Sequence, residues 1–443
     1  MYFLYSFSTL LAVVALSPYF LYQGLRHKKY LGSARQRLTG PPASLNPAGD
    51  DSIWVHAVSV GEVLAARPVI AELKVRYPSL RIFLSTTTIT GQRIAGTLSP
   101  SIDGVFYVPF DWAFAVRRTL RRVRPRLFVM VETEIWPNIL RECRRQDVRT
   151  VLINGRLSAR SSRRFRLVRP LFARVLADVE RFCVQSDDTR RRLVALGADA
   201  GRITVTGSLK FDALDPPDAP PRLDGGFRPF RINPARQVLV AGSTLRGEEQ
   251  AMLRAFDAMR ASHGGVRPLL VLAPRHPERF DEVEALCRAR DLATARRTNL
   301  SFDREPDADV IVLDTIGELA QVYGIATVVF VGGSLVSAGG HNILEPAVHG
   351  KPIVVGPHME NFAEIAAAFL AHEALVQVRH EGELDETIAS LLGDPVRRAR
   401  LGAAARALVH ASRGAKDKTL AVINELLPRQ DRRAVVRPFR VVH

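Results

Sequence analysis

Short apolar runs, each stopped by glycine or proline and each followed by a helical pattern, recur along this chain and leave few folds open to it. Residues 328–359 carry the pattern in its densest form. Val328-Val329-Phe330-Val331 is an apolar, β-branched run cut by Gly332-Gly333, which predicts a buried strand. A glycine-rich turn follows, Asn342-Ile343-Leu344-Glu345 opens a helix, and Pro352-Ile353-Val354-Val355 is the next strand, stopped by Gly356-Pro357. Strand, glycine turn, helix start and strand is how an α/β sheet holds a phosphate or a nucleotide. Glycines let the backbone approach closely and aim N–H groups at an anion. Glu345 stands one turn into the helix, where a carboxylate can grip a ribose diol. The bland alternative is a capping box, Asn-x-x-Glu, on an ordinary turn.

The same rhythm runs from residue 53 to residue 378. Strands are expected at 53–58, 81–85, 105–108, 127–131, 150–153, 181–185 and 203–206. Helices are expected at 62–75, 112–123, 136–145, 163–177 and 187–196. The rhythm restarts with strands at 238–241, 269–273, 310–313, 328–331, 353–355 and 375–378, and 383–426 reads as helical. Between the two series, residues 215–234 hold six prolines and two adjacent glycines, the composition of a linker. The prediction is therefore α/β, with two doubly wound Rossmann-like domains facing a cleft and ligands at the carboxyl ends of the strands. The expected boundaries are 52–214 for the first domain and 235–426 for the second, with a basic tail at 427–443.

Residues 1–25 carry no charge, and Arg26, Lys28, Lys29, Arg35 and Arg37 follow. A hydrocarbon core takes about 20 apolar residues, so this stretch reads as an N-terminal signal anchor, and 26–51 as a basic juxtamembrane linker. The positive-inside rule then puts the N-terminus outside and the bulk of the chain in the cytoplasm. Three well-separated cysteines, Cys143, Cys183 and Cys287, make no disulfide framework. The net charge of +17 is concentrated in residues 112–174, where 17 arginines face four acids. Beside a membrane anchor, that excess favours anionic lipid headgroups or a phosphorylated lipid. Nucleic acid is not expected as a partner, because the basic stretches lack aromatic spacing and no nucleic-acid-binding motif is present.

Acids cluster where strands end. Glu62 begins the helix after the first strand, in Ser59-Val60-Gly61-Glu62, and can take a proton from an attacking hydroxyl. The same four residues form a capping box, and a helix N-terminus lowers a carboxylate's pKa, so burial or acidic neighbours must raise it again. Glu132-Thr133-Glu134 follows another buried strand, where acids are costly unless used. Lys210, in the turn at 207–212, can neutralise a phosphate or carboxylate or simply lie at the surface. In the second half Arg275, followed by His276, suits a forked phosphate contact. Thr315-Ile316-Gly317-Glu318 is a strand-end turn and a further capping box, so Glu318 can be structural while the turn's N–H groups meet a base or ribose. Asp307-Ala308-Asp309 has the form of a metal-holding motif but precedes its strand, at the wrong end of a sheet. No metal and no other cofactor is expected. The dinucleotide fingerprint is missing, which argues against hydride transfer.

At these residues the chain resembles the 3-deoxy-D-manno-octulosonic acid (Kdo) transferases of lipopolysaccharide assembly. The resemblance spans nearly the whole chain: HAVSVGE at 56–62, ETEIWPN at 132–138, NGRLSARS at 154–161, GSLKFD at 207–212, PRHPERF at 274–280, DTIGEL at 314–319, and GGSL and GGHNILEPA within 332–347. It implies a GT-B-type glycosyltransferase that moves Kdo from CMP-Kdo to a hydroxyl of the lipid A precursor, with inversion and without a metal. It implies Glu62 as general base, with Glu132 and Lys210 assisting the transition state. Arg275, His276, Ile316, Gly317, Glu318, Asn342, Ile343, Leu344 and Glu345 fall on the family's CMP-binding segments. The rivals are a two-domain transferase or epimerase using a UDP-sugar, and an inactive membrane-tethered binder of anionic lipid or nucleic acid.

Overall fold

A computed structural model describes residues 2, 5–9, 11, 13, 31–214, 232–262, 265–301 and 304–427. The chain forms two compact units. One takes the chain up to Ala213 and again from Ser412; the other is Leu214–Ala411.

The first unit is built on seven parallel strands: β1 (Ser52–His56), β2 (Arg81–Thr86), β3 (Gly104–Tyr107), β4 (Pro125–Val131), β5 (Arg149–Gly155), β6 (Arg181–Val184) and β7 (Ile203–Val205). Their order is β3-β2-β1-β4-β5-β6-β7. Continuous apolar runs make this possible, because helices cover the sheet on both faces and alternate residues must all be apolar. Ile53, Val55, Leu127, Val129 and Val151 pack on one side with the helices Val60–Arg76 and Ala415–Leu426. Trp54, Phe83, Phe128, Met130 and Leu152 pack on the other with Val116, Leu120 and Ile139. Trp54 is the centre of that second layer: its ring lies 4.4 Å from Phe128 and 5.7 Å from Phe106. Its indole N–H, which burial obliges to find a partner, donates to Ser85 Oγ at 2.7 Å.

The second unit repeats the plan with β8 (Val238–Thr244), β9 (Leu269–Pro274), β10 (Thr294–Arg296), β11 (Val310–Val312), β12 (Val328–Val331), β13 (Ile353–Val355) and β14 (Val376–Gln377), in the order β10-β11-β9-β8-β12-β13-β14. In each sheet the first strand is central. Its two neighbours reach it by opposite windings, so β1/β4 and β8/β12 are the points where ligands gather in open α/β sheets.

Several expectations are corrected. β10 was not foreseen, since Thr294-Ala295-Arg296 is a short, half-buried edge with no apolar run. The helix expected over 163–177 is two helices, Ala159–Arg166 and Arg169–Leu176, because Pro170 has no N–H for the Arg166 carbonyl and fits only in the first turn of a new helix. The helix Ala415–Leu426 belongs to the first unit, not to the 235–426 domain, because Ala415, Leu420, Val422 and Ile423 fill the first unit's core.

The stretch 31–51 is docked rather than a free linker. It forms the helix Leu31–Thr39, Arg37 Nε donates to Val108 O at 3.0 Å, and Asn46 Nδ2 donates to Arg122 O at 3.2 Å. Most of the expected anchor, the linker 215–231 and the tail 428–443 lie outside the described residues. Among the described residues no helix is long and apolar enough to cross a membrane. The described start of the apolar stretch rests against protein: Tyr2 donates to Asp178 at 2.6 Å, and Asn138 Nδ2 donates to Ser6 Oγ at 2.9 Å.

Candidate functional site

In the first unit, the carboxyl ends of β1, β4, β5 and β7 bring charged residues together. Ser59 and Glu62 open the helix Val60–Arg76 as the sequence predicts, but not as a full capping box. Glu62 reaches back to accept the Val58 N–H at 2.7 Å, while Ser59 Oγ donates to the other Glu62 oxygen at 2.9 Å. The serine orients the acid instead of capping the backbone. Burial then pushes the Glu62 pKa up to about 7, opposed by the Val58 N–H and aided by the negative charges of Glu132 and Glu134. Helix-start depression loses to desolvation plus two like charges. The result is a carboxyl group poised near neutral pH, as a general base requires.

Glu132 ends β4 with φ of 61°, a left-handed conformation unusual for this residue type and one that clusters at functional sites. Its carboxylate is held by Arg156 Nε at 3.2 Å and Lys210 Nζ at 3.6 Å. Asn154, also at positive φ, links these parts: its Nδ2 donates to Glu132 at 3.5 Å, and its Oδ1 accepts the Leu209 N–H at 3.0 Å. Glu62, Glu132 and Lys210 thus lie at one end of the first sheet. Arg156 and Asn154 were missed as single residues, although the segment NGRLSARS contains them. On the other side Glu134 accepts the Trp136 indole N–H at 2.9 Å and lies 3.7 Å from the buried His56 ring nitrogen.

In the second unit, the turns after β11, β9, β8 and β12 share one sheet edge. Arg275 and His276 are exposed after β9. Their charges bear on His341, which burial and these neighbours lower to a pKa of about 4, so the ring is neutral. The Arg275 charge also bears on Glu345, whose pKa burial raises. Asn342 Nδ2 donates to Glu345 at 3.0 Å, and Asn342 Oδ1 accepts the Leu344 N–H at 3.1 Å. The helix that begins here is only Leu344–Val348. Ile343 and Leu344 are fully buried, so any contact they make with a ligand comes from their backbone. His341 was not singled out from the sequence; its burial against Gly333, within reach of the Arg275 charge, is a tertiary fact.

The turn after β11 exposes Ile316 and Gly317, whereas the Glu318 side chain is already engaged. Arg297 Nε donates to it at 2.9 Å and Thr315 Oγ1 at 2.6 Å. Asp307 pairs with Arg267 at 2.6 Å, and Asp309 accepts the Ala293 N–H at 3.1 Å, both at the amino end of β11. Among the described residues no group of three or more His, Cys, Asp or Glu side chains could hold a metal ion.

Residues 29–213 match the family described as 3-deoxy-D-manno-octulosonic-acid transferase (kdotransferase). The 3-deoxy-D-manno-octulosonic acid transferase of Bordetella pertussis is 37% identical over 381 residues, 85% of this chain and 87% of that protein. Its counterpart in Haemophilus influenzae is 33% identical over 379 residues, with 85% and 87% covered. Among solved structures, the Neisseria meningitidis UDP-GlcNAc 2-epimerase bound to UDP-GlcNAc aligns with a TM-score of 0.57 at 11% identity, covering 85% of this chain and all of that one. That likeness shows the fold, an α/β architecture of GT-B type.

Proposed function

The chain belongs to the 3-deoxy-D-manno-octulosonic acid transferase family and is a glycosyltransferase, and from that premise we propose that it transfers Kdo from CMP-Kdo to a hydroxyl of the lipid A precursor in lipopolysaccharide core assembly. The observation that carries the reading is Glu62, a carboxyl group at the carboxyl end of the central strand β1 with a pKa near 7. It removes the proton from the acceptor hydroxyl as that oxygen bonds to the anomeric carbon. The bond from that carbon to the CMP phosphate breaks on the opposite face, so the configuration inverts and CMP leaves with the electron pair. Glu132, fixed by Arg156 and Lys210, sets the field around the reacting groups. In the second unit Arg275 meets the phosphate, Asn342 and Glu345 meet the ribose, and the backbone of 316–318 and 343–344 meets the remainder of the nucleotide. Cationic side chains answer the leaving-group charge in this reading, so a chelator should leave turnover unchanged.

An acceptor bearing phosphates and acyl chains suits the helices Ala159–Arg166 and Arg169–Leu176. Arg163, Arg164 and Arg166 stand beside Leu167, which is 85% exposed, and Val168. Basic side chains around exposed apolar ones fit the anionic face of the bacterial inner membrane. The test is product analysis. Purified protein in detergent receives tetra-acylated lipid A precursor and CMP-Kdo generated in situ, beside a Glu62→Gln control. Kdo-lipid formed by the wild type and lost in the control is the expected result, with CMP rather than UDP competing for the donor site. Failure of the wild type to form product would remove the acceptor assignment.

A further inference from the structure

Glu248 is a buried acid that the transferase reading leaves unused. It starts the helix Glu248–Ser262 after β8 and is 1% exposed. One carboxylate oxygen accepts the N–H of Leu245 at 2.8 Å and of Gly333 at 2.7 Å. The other accepts the N–H of Ser334 at 3.0 Å and of Leu335 at 2.9 Å. Three of these donors are successive amides of the glycine turn after β12, a concave nest of the sort that binds phosphate. Burial raises the Glu248 pKa against these donors. Each oxygen already accepts two N–H bonds, so a proton on either would break one of them.

We propose that Glu248 is a built-in anion: it fills the nest at Gly333–Leu335 in place of a ligand phosphate, and by doing so fixes the turn that shapes the donor site. The turn that the sequence offers as a phosphate cradle is occupied from within, and the donor's phosphate goes elsewhere on the same sheet edge.

The coupling to the site is direct. A side chain on Gly332 would meet Ser243 O at 2.5 Å and Glu248 Oε2 at 2.8 Å, so only glycine lets the acid close in. A Cβ on Gly333 would meet the His341 ring at 2.7 Å, and Gly340 N donates to Gly333 O at 2.8 Å. Ser334 Oγ accepts the Gly356 N–H at 2.9 Å, tying in the end of β13. Displacing the turn therefore displaces His341 and the Asn342–Glu345 segment. Glu248 is a positioning residue in this sense, and its effect on donor binding rests on the transferase reading.

The experiment is anion rescue in the full chain. Glu248→Ala should lower the melting temperature by roughly 5 °C or more, since four buried N–H groups lose their acceptor. It should weaken CMP binding by roughly tenfold. Formate should recover at least half of each loss in Glu248→Ala, with chloride at equal ionic strength recovering less and the wild type unmoved. Glu248→Gln, whose side chain fills the nest, should be impaired but unresponsive to formate. A carboxylate that only stabilised the fold would give the melting loss and its rescue but leave CMP binding unmoved. Wild-type melting and affinity in Glu248→Ala, or a loss that formate leaves untouched, would overturn the proposal. If Glu248→Ala does not fold, Glu248→Asp decides: at least threefold weaker CMP binding supports the proposal, and wild-type affinity ends it. Melting and its rescue need no substrate, so a wild type that ignores CMP would count against the transferase reading and leave this arm to judge Glu248.

Discussion

Glu62 and Glu248 hold the same place in two sheets. Each follows the first, central strand of its unit and sits in the first turn of the next helix. Each is desolvated, and burial raises the pKa of both. Their surroundings differ. Glu62 has one N–H, one hydroxyl and two carboxylates nearby; Glu248 has four N–H donors. The first environment leaves the proton free to come and go near neutral pH. The second clasps both carboxylate oxygens with two N–H donors each. One fold position thus holds an acid raised to about neutral pH in one unit and an acid clasped by four N–H groups in the other, and the neighbouring loops decide which.

The largest expected effect separates the two acids by activity. Glu62→Gln should lower kcat by about 10²–10⁴-fold while leaving CMP binding near wild type and melting no lower than wild type, the reverse of the pattern expected for Glu248→Ala. A third helix-start glutamate extends the comparison. Glu318 is bound to Arg297 in a nearly buried pair, and removing one partner of such a pair costs about 3–5 kcal/mol. Arg297→Ala should therefore destabilise the protein strongly, as read by denaturant melts. A stable Arg297→Ala protein that fails to bind CMP would instead place Glu318 in the nucleotide site.

The pKa of Glu62 also acts on stability. Its folded value, about 7, lies above the ordinary 4.5, so between those values the folded state binds more protons than the unfolded one. Stability falls as pH rises through that window. Glu62→Gln should then stabilise the protein above pH 7, by at most about 3 kcal/mol, and change nothing below pH 4. Equal melting of the two proteins at both pH values would show that Glu62 titrates normally. The same pKa predicts that kcat/KM falls tenfold per unit as pH drops below about 7.

The smallest effect tests the neighbours. Glu132→Gln and Glu134→Gln each remove a negative charge that raises Glu62, so each should move the acidic limb of the pH–rate profile to lower pH, by about half a unit. Glu132 should have the larger effect, matching its larger influence on Glu62. An unmoved limb in both would leave burial as the sole cause.

Much of the architecture could be read before any coordinates. The parallel strands were legible because a strand covered on both faces must be apolar throughout, and such runs stand out. β10 escaped because an edge strand needs no such run. The 163–177 stretch looked like one helix because its break comes from Pro170, which has no N–H to donate to the Arg166 carbonyl and instead sits in the first turn of a new helix. The docked segment 31–51 looked like a linker because its order comes from side chains bonded to distant backbone, as in the Arg37–Val108 contact. Motif order alone was enough to suggest the family, since the matching segments lie in register along nearly the whole chain.

What the sequence by itself determined were local quantities: strand and helix periods, helix-start acids, glycine turns, and the order of the motifs. These depend on residues within a turn or a strand of one another. Whether a helix-start acid is raised toward neutral pH or clasped by backbone N–H groups was decided only by the tertiary structure. Glu62 is raised by acids 70 and more positions away, and Glu248 meets its nest 85 positions along the chain. Desolvation and charge are sums over neighbours in space, and packing the sheets is what chooses those neighbours.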